Sequence, residues 1–406
     1  MDLIQSNLAI RKLLAKYSHT DPDDWFLTFK ARFGMATAFQ AIYDIYGRGE
    51  VITQPYTCIT AINPILVSNL KPVYSDINQS TLSISQPERL YNSKTVAIVM
   101  QHTLGIIDNN ATKTADFAQK QHLILFEDSA HCLSRMATDE SGKILADISI
   151  HSFGVEKIIK NTKFGGAIYV NPELKKRHPR LYTEITTRLL NLPHPPLGLD
   201  LRSRTYRFQN GLLHRLPNSL FNEVRNLAYK AHIFELAVAP YEQSAEQSQP
   251  YATTKFVNNT ILKHLPSLPE IYKLRLKNVR KYNKQLAGSK DFEIINSDNQ
   301  PLLAYPILFK DAATATKVYD ILTSSGFFIR RWYSPLLYPG PNSNRRYYYS
   351  PKMSPTAESI HPRILCLPTD LTQEKMSQII SILHPVEKPV QKIVQKHPDG
   401  DISQKA

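Results

Sequence analysis

The sequence of 406 residues has few cysteines, no long apolar run and no recognisable secretion signal, and each shortage narrows the class of protein. Its three cysteines, Cys58, Cys132 and Cys366, are far apart, which argues against a disulfide framework and against a metal site. No apolar run approaches the roughly 20 residues that a helix needs to cross a bilayer. Residues 1–24 lack the apolar core and the cleavage site of a secretory signal. We therefore expect a cytoplasmic protein with no membrane partner.

Acidic residues are also scarce relative to basic ones, since 35 Asp and Glu accompany 49 Lys and Arg, for a formal net charge of +14. Such a balance raises the question of a nucleic-acid partner. Residues 170–215 alone carry nine basic and three acidic residues. No zinc-finger spacing, RNA-recognition signature or leucine-zipper pattern accompanies this charge. The segment is therefore either a solvated basic face or a site for an anionic ligand, which is a polynucleotide or a phosphorylated small molecule.

The main pattern that is present is an alternation of short apolar runs and helical stretches between residues 50 and 170. The strand candidates are EVIT, KPVYSDI, TVAIVM, HLILFED, DISIHSF and GGAIYV. Apolar runs without strict alternation are typical of strands buried on both faces, so they predict a mostly parallel sheet flanked by helices. The predicted fold class is therefore α/β, with a large domain over residues 1–255 that begins with a helical arm.

A smaller second domain is predicted over residues 256–385. It combines the helical stretches IYKLRLKNVRKYNKQL and AATATKVYDILTSSG with the strand-like stretches PLLAYPILF, FFIRRWY and RILCLP, which together indicate an α+β unit. Residues 386–406 have the composition of a disordered tail.

A carboxylate follows one of the predicted buried strands. The run HLILFED ends in Glu127 and Asp128, and ligands of such sheets bind at the carboxyl ends of the strands. A carboxylate at that place suits the protonated ring nitrogen of pyridoxal phosphate, although Asp128 is equally suited to capping a following helix. His131, three residues further on, either supports the residue that contacts such a ring or is a helix surface residue.

Three lysines lie between a serine and a pair of glycines in the stretch SFGVEKIIKNTKFGG. A buried lysine amine forms a Schiff base with a carbonyl cofactor, and glycines allow the backbone to approach a ligand closely. Composition alone leaves Lys157, Lys160 and Lys163 as candidates. Thr37 precedes a helical stretch, where it is either an anion contact or an ordinary helix cap.

The order of these segments resembles the DegT/DnrJ/EryC1/StrS family of sugar aminotransferases, which are pyridoxal-phosphate enzymes with the aspartate-aminotransferase fold. The segments that carry the resemblance are GRGEVITQPYTCITAINPILVSNLKPVYSDINQSTLSIS, VMQHTLGIIDN, LFEDSAHCLS and SFGVEKIIKNTKFGGAIYV. FFIRRWYSPLL and residues 354–383 fit the closing region of the family. The resemblance covers most of the chain and implies a seven-stranded, mostly parallel sheet with a small C-terminal α+β domain.

Residue by residue, the resemblance implies that Lys157, five residues after the serine of the SF motif, is the Schiff-base lysine. It implies that Asp128 pairs with the pyridine nitrogen and that His131 lies beside the cofactor ring. The implied contacts of the cofactor phosphate are Ser152, Thr37, Ala38 and Asn218. Because the family sends the residue matched by Asn218 from a neighbouring subunit, the resemblance also implies a homodimer.

The sequence departs from the family pattern in two places. Cys58 occupies the position of an aromatic residue that usually stacks on the cofactor ring, and Tyr56 is out of register for that role. The family's glycine turn has become KFGG, with one extra residue after Lys157. These departures leave the predicted fold intact and bear on the substrate and on the level of activity.

The implied activity is the transfer of an amino group, from glutamate as donor, to a keto group of a nucleotide-linked sugar. The basic residues 170–215 and the pair Arg330 and Arg331 are expected to hold the diphosphate. One alternative is a catalytically weak or regulatory relative that keeps the fold. The other is a basic nucleic-acid-binding protein, whereas the aminotransferase prediction expects no nucleic-acid partner.

Overall fold

The computed structural model describes residues 1–384 apart from 214, 232, 237, 247, 248 and 297, with every described side chain except those of residues 218, 219 and 222. The predicted tail over residues 386–406 lies outside the described residues. In the described part of the chain, no helix has both the length and the apolar content needed to span a membrane.

The larger sheet contains seven strands in the order β1-β7-β6-β5-β4-β2-β3. The strands from β3 to β6 in this order are parallel, whereas β7 is antiparallel to both β6 and β1. The α/β prediction with a mostly parallel sheet is therefore confirmed. The strands are β1 Trp25–Thr28, β2 Glu50–Thr53, β3 Lys71–Tyr74, β4 Thr95–Gln101, β5 Ile124–Asp128, β6 Ile148–Ser152 and β7 Gly166–Val170.

Helices cover both the sheet and its edges. Helix α2 packs its apolar residues, among them Phe39 and Ile42, against the buried side chains of β5 and β6 in one core cluster. Its spacing of apolar residues is that of a helix with one buried face. The helices of this unit are α1 Leu3–Ser18, α2 Ala31–Tyr46, α3 Ile59–Val67, α4 Ala111–Lys120, α5 Glu173–Arg177, α6 Pro179–Leu190, α7 Leu197–Leu213, α8 Asn218–Lys230 and α9 Pro240–Gln243.

The smaller sheet is antiparallel and has the order β10-β9-β8. Its strands are β8 Phe292–Ile294, β9 Ala304–Phe309 and β10 Ile364–Pro368, and the remaining helices are α10 Lys255–His264, α11 Leu268–Leu286, α12 Ala312–Ser324, α13 Pro355–Ile360 and α14 Gln373–Leu383. The strand predicted at FFIRRWY is wrong, because only Arg330 makes an isolated bridge, to Cys366. The aromatic rings that follow Arg331 pack against the larger unit instead.

The two sheets share one apolar core cluster. It joins Tyr56 and Ile59, near the start of α3, to Tyr305 of β9 and Leu365 of β10. The boundary predicted at residue 255 coincides with the first residue of α10, and Asn258 of that helix donates a hydrogen bond to Ser6 of α1. The division into domains at this residue stays a prediction.

Candidate active site

A cavity of about 470 Å³ opens at the edge of the larger sheet where β1, β5 and β6 end. Its wall contains Asp128, Ser152 and Lys157, which the sequence analysis singled out separately. The structure therefore brings three of the predicted residues together. The cavity is also lined by Lys163, a candidate lysine from composition, and by Cys58, at the position of the family's stacking aromatic. Further lining residues that were not singled out from the sequence are Lys30, Ala31, Arg32, Thr60, Arg225, Trp332, Tyr333 and Tyr338.

Asp128 is the last residue of β5, with neighbours in β4 and β6. Its Oδ1 accepts a hydrogen bond of 3.0 Å from the backbone N–H of Ala130, and among the described residues no protein group donates to Oδ2. Burial raises the pKa of this carboxyl, while the Ala130 N–H and the charge of Lys157 act in the opposite direction. One oxygen is thus held by a turn, and the other is available to a ligand.

Lys157 lies in the loop that joins the antiparallel strands β6 and β7. The next two residues, Ile158 and Ile159, are buried in the apolar core, which holds the loop against the protein. The Lys157 Nζ lies 5.6 Å from the centre of the Trp332 ring. Burial lowers the pKa of Lys157, although Cys58 and Asp128 oppose that effect. A lowered pKa increases the fraction of unprotonated, nucleophilic amine.

The other two lysines of this loop occupy different environments. Lys160 is exposed and forms an ion pair of 2.7 Å with Asp370. Lys163 lines the cavity and lies over the ring of Tyr206. Burial and the nearby Arg207 lower the pKa of Lys163. The structure thus directs Lys160 away from the cavity and leaves Lys163 at a wall of it.

Ser152 and the first residue of α2 both line this cavity. Ser152 ends β6 opposite Gly166, and its Oγ accepts a hydrogen bond of 3.1 Å from Gly154. Helix α2 begins at Ala31, which lines the same cavity. The unpaired N–H groups at the start of a helix attract negative charge.

Thr37 and Ala38 do not line this cavity. Both lie inside α2, past its first turn, because the helix begins at Ala31 and not after ARFGMA. The Thr37 hydroxyl donates to the Phe33 carbonyl at 2.8 Å, and Ala38 is fully buried in the apolar core. The helix therefore begins six residues earlier than the sequence predicts. Ala31 and Arg32, and not Thr37 and Ala38, lie at its start.

His131 is buried beside the cavity and is held by two hydrogen bonds. Its Nδ1 accepts from the backbone N–H of Leu104 at 3.0 Å, and its Nε2 lies 3.2 Å from the Tyr333 hydroxyl. Its ring stacks on Trp332, with centres 5.2 Å apart and planes within 6° of parallel. Burial, reinforced by the charges of Lys157 and Arg330, lowers the pKa of His131 well below its usual range.

The remaining predicted residues have mixed positions. Asn218 is the first residue of α8, but its side chain lies outside the described part of the structure. Cys58 lines the cavity, and its Sγ accepts a hydrogen bond of 3.0 Å from Thr60. Tyr56 is fully buried and donates to the Trp332 carbonyl. The aromatic surface of the cavity therefore includes Trp332 and Tyr333, two residues of FFIRRWYSPLL for which the sequence predicted no role, together with Phe164 and Tyr338.

Two buried ion pairs support the start of α2. Lys30 contacts Glu235 at 2.9 Å, and Arg32 pairs with Glu242. Both carboxylates come from the segment between α8 and α10, about 205 positions later in the chain for the first pair. Removal of one partner of such a pair would leave a buried charge uncompensated.

The basic residues of segment 170–215 are mostly paired with nearby carboxylates. The ion pairs include Lys176 with Glu173, Arg188 with Asp44 and Arg204 with Asp200. Arg331 also lies elsewhere, since it donates to the Pro362 carbonyl. Arg330 stacks on Trp332 at 5.0 Å and contacts Glu156 at 3.4 Å. The candidates for binding the substrate diphosphate are therefore reduced to the few basic residues that lie close to the cavity.

Lys163 and Arg225 line the cavity, and the charge of Arg207 lies close to Lys163. Arg225 lines the cavity and stacks on Phe221, and its buried Nε has no hydrogen-bond partner within the described residues. Lys163 lies on the same wall, and Arg207 donates to Asn161 at 3.2 Å. Arg207 and Arg225 come from α7 and α8, whereas Lys163 belongs to the loop of Lys157.

Comparison with known proteins identifies relatives. A segment of 154 residues is 35% identical to dTDP-4-amino-4,6-dideoxy-D-glucose transaminase of Shigella dysenteriae, covering 36% of this chain and 41% of that relative. The solved structure of Helicobacter pylori PseC, an aminotransferase involved in the biosynthesis of pseudoaminic acid, superposes with a TM-score of 0.68 at 18% identity, over 93% of this chain and 90% of that one. The structure of NtdA of Bacillus subtilis, solved with bound cofactor PMP, superposes with a TM-score of 0.66 at 17% identity. The superposition covers 93% of this chain and 76% of that one.

The two structural likenesses, at these identities, establish the fold. The sequence model of the DegT/DnrJ/EryC1/StrS aminotransferase family matches residues 31–188 and 254–384. These ranges include every strand of both sheets except β1, and helices α7, α8 and α9 lie outside them. The chain therefore belongs to the DegT/DnrJ/EryC1/StrS aminotransferase family.

Proposed function

We propose that this protein is a pyridoxal-phosphate-dependent aminotransferase that moves an amino group from an amino acid, glutamate by family resemblance, to a keto group of a nucleotide-linked sugar. The observation that carries the proposal is that Asp128 and Lys157 line one cavity at the carboxyl edge of the sheet. A single cofactor ring bound in this cavity can therefore contact both the Asp128 carboxylate and the Lys157 amine. The family match and the transaminase name of the Shigella relative support the same conclusion.

The residues present fit the cofactor at its ring nitrogen, its aldehyde and its phosphate. The Asp128 Oδ2, which accepts no hydrogen bond within the described residues, suits the ring nitrogen, Lys157 supplies an amine for the aldehyde, and Ser152 with the start of α2 suits the phosphate. When bound there, pyridoxal phosphate supplies an electron sink for a developing carbanion. The solved relative with bound PMP supports this assignment.

Each residue then has a definite task. Lys157 would hold the cofactor through its Nζ, and its amine would also be the general acid and base for the α-proton of the amino donor. Asp128 keeps the ring nitrogen protonated by accepting its hydrogen bond. Trp332 covers the cavity on the side of Lys157 and limits the access of water.

The cation cluster of Lys163, Arg207 and Arg225 is the proposed contact of the substrate diphosphate. Arginine and lysine bind phosphate oxygens through charge-assisted hydrogen bonds, and the Arg225 Nε has no acceptor among the residues that the structure describes. Arg207 and Arg225 lie on helices outside the residues that match the family model. This position suits residues that adapt a shared reaction to one substrate.

A homodimer is part of the proposal. Nine of the eighteen large apolar side chains that are exposed in the described structure lie between residues 190 and 233, on and around α7 and α8. An exposed apolar surface of this kind is typical of an interaction site. They are Leu190, Leu197, Leu201, Phe208, Leu212, Leu220, Val224, Leu227 and Ile233. Light scattering should give twice the monomer mass of 46.3 kDa, and a monomer would contradict this part.

The decisive experiment follows the visible absorption and the activity of the purified protein. After addition of pyridoxal phosphate, the wild type and the Lys160→Ala control should gain a visible band that Lys157→Ala lacks. Glutamate together with one of a panel of keto-sugar nucleotides should then give an amino sugar and 2-oxoglutarate. A wild-type protein that binds no cofactor would overturn the proposal. One that binds the cofactor but aminates no sugar would favour a regulatory relative, for which the substitution at Cys58 is the motivating observation.

A further inference from the structure

The hydrogen bonds of His131 determine where its proton lies. Its pKa is lowered well below the usual range by burial, so the ring is neutral and carries one N–H. The backbone N–H of Leu104 points at Nδ1 from 3.0 Å, and an N–H donor requires an acceptor there. The proton therefore lies on Nε2.

The Tyr333 hydroxyl must then accept from His131. Its oxygen lies 3.2 Å from Nε2, and the N–H of His131 is the donor in this contact. The hydrogen of the Tyr333 hydroxyl is left without an acceptor among the described residues, where no second hydrogen bond to this hydroxyl occurs. Burial raises the pKa of Tyr333 well above its usual range, so this hydrogen is retained at physiological pH.

The available hydrogen of Tyr333 is close to the proposed cofactor. Tyr333 is 4% exposed and lines the cavity together with Asp128 and Cys58. Tyr56 packs edge-on against the Tyr333 ring at 5.6 Å and donates to the carbonyl of Trp332. The ring of Tyr333 is therefore held in one position.

We infer that Tyr333 is the hydrogen-bond donor to the phenolic oxygen of the cofactor ring, oriented by His131. This inference rests on the proposed function. The ring nitrogen has Asp128, the aldehyde has Lys157, and the phosphate has Ser152 and α2, which leaves the phenolic oxygen in need of a donor. His131 does not supply one, because both of its nitrogens are already used.

Tyr338 is the competing donor, since it also lines the cavity and its hydroxyl makes no hydrogen bond in the described structure. Tyr338 is only partly buried, whereas Tyr333 is 4% exposed. The Tyr333 hydroxyl also contacts the buried His131, three residues after Asp128. Position within the cavity therefore favours Tyr333.

The test is a pH titration of the visible absorption of the protein loaded with pyridoxal phosphate. A hydrogen-bond donor to the phenolic oxygen stabilises the anionic form of that oxygen. When the donor is lost, the bound cofactor should therefore stay protonated to higher pH. Tyr333→Phe should therefore raise the midpoint of the spectral change by about one pH unit. His131→Leu should shift it in the same direction by less, because an accepted hydrogen bond strengthens the phenol as a donor.

Tyr338→Phe is the matched control and should leave the midpoint unchanged. Thermal melting of each apoprotein shows whether the variant is folded, and a single lost hydroxyl should preserve the fold. If the loaded wild type titrates but Tyr333→Phe has the same midpoint, or if Tyr338→Phe shifts instead, this inference is overturned and the proposed function stands. If the wild type gains no visible band, the proposed function fails and this inference fails with it.

Discussion

The backbone of Gly166 lies directly against that of Ala31, so that a Cβ on Gly166 would overlap the Ala31 Cα and nitrogen. This contact brings the first residue of β7 to the start of α2. It also explains the second glycine of KFGG, since no larger residue allows the approach. The neighbouring Gly165 has a φ of +113°, a conformation that favours glycine.

Gly166→Ala should therefore destabilise the protein by about 1–3 kcal/mol, the usual cost of overpacking. It should also weaken pyridoxal-phosphate binding, because α2 must move away from Ser152. Denaturant unfolding and absorbance titration measure the two effects. Gly211→Ala, within α7 and with open space around it, is the control and should be neutral or slightly stabilising. Equal behaviour of the two variants would show that the close contact does not shape the site.

Ser152→Ala should lower the affinity for pyridoxal phosphate about tenfold, because a hydrogen bond to a charged group is lost. Its affinity for pyridoxal, which lacks the phosphate, should stay the same. Thr37→Val is the comparison, since the Thr37 hydroxyl is already bonded to Phe33 inside α2. We expect its affinities to match those of the wild type. A loss of pyridoxal-phosphate affinity in Thr37→Val alone would restore the assignment made from sequence.

Arg225→Ala should raise the KM for the nucleotide sugar about tenfold or more while leaving the KM for glutamate unchanged, because a charge-assisted contact to phosphate is lost. Steady-state kinetics with each substrate varied in turn would measure this difference. Arg204→Ala is the control, because it removes an arginine of the preceding helix α7 that pairs with Asp200 of the same helix. This control should alter neither constant, and a similar increase in both variants would indicate a nonspecific effect of charge.

Asp24 should make stability depend on pH. Burial, reinforced by Asp21 and Asp23, raises the pKa of Asp24 to about 6 from 3.8. The folded state then binds more protons than the unfolded state between these values, so stability from this group falls as the pH rises from about 4 to about 6. Asp24→Asn removes the penalty and should raise Tm at pH 8 more than at pH 4. A gain in Tm that is the same at both pH values would show that Asp24 does not titrate in this way.

The local sequence was sufficient for the main strands and for the residues at their ends. The apolar runs that end in Asp128 and Ser152 form β5 and β6, because buried strands are recognisable from composition over a few residues. Parallel neighbours end at the same edge, so the prediction that these residues meet followed from the strand pattern and the family resemblance. Among the three lysines, Lys157 is distinguished only by the family resemblance, which implies a lysine five residues after the serine.

Other assignments depended on where elements begin and on distant contacts. The start of α2 at Ala31 was missed because Lys30 and Arg32 are unusual near a helix start, and here Glu235 and Glu242 neutralise them. The FFIRRWY segment is apolar and aromatic like a strand, yet its rings pack against His131. Neither outcome is visible within a short window of sequence.

The sequence by itself determined which segments form the main strands and which family the chain resembles. It also placed a carboxylate, Asp128, and a lysine, Lys157, at or after the ends of two of these strands. Only the tertiary structure decided where α2 begins, which cations line the cavity and which residue contacts the Tyr333 hydroxyl. The physical reason is distance along the chain: His131 and Tyr333 are 202 positions apart. Their hydrogen bond exists only because the two sheets pack into one core, which local propensity does not encode.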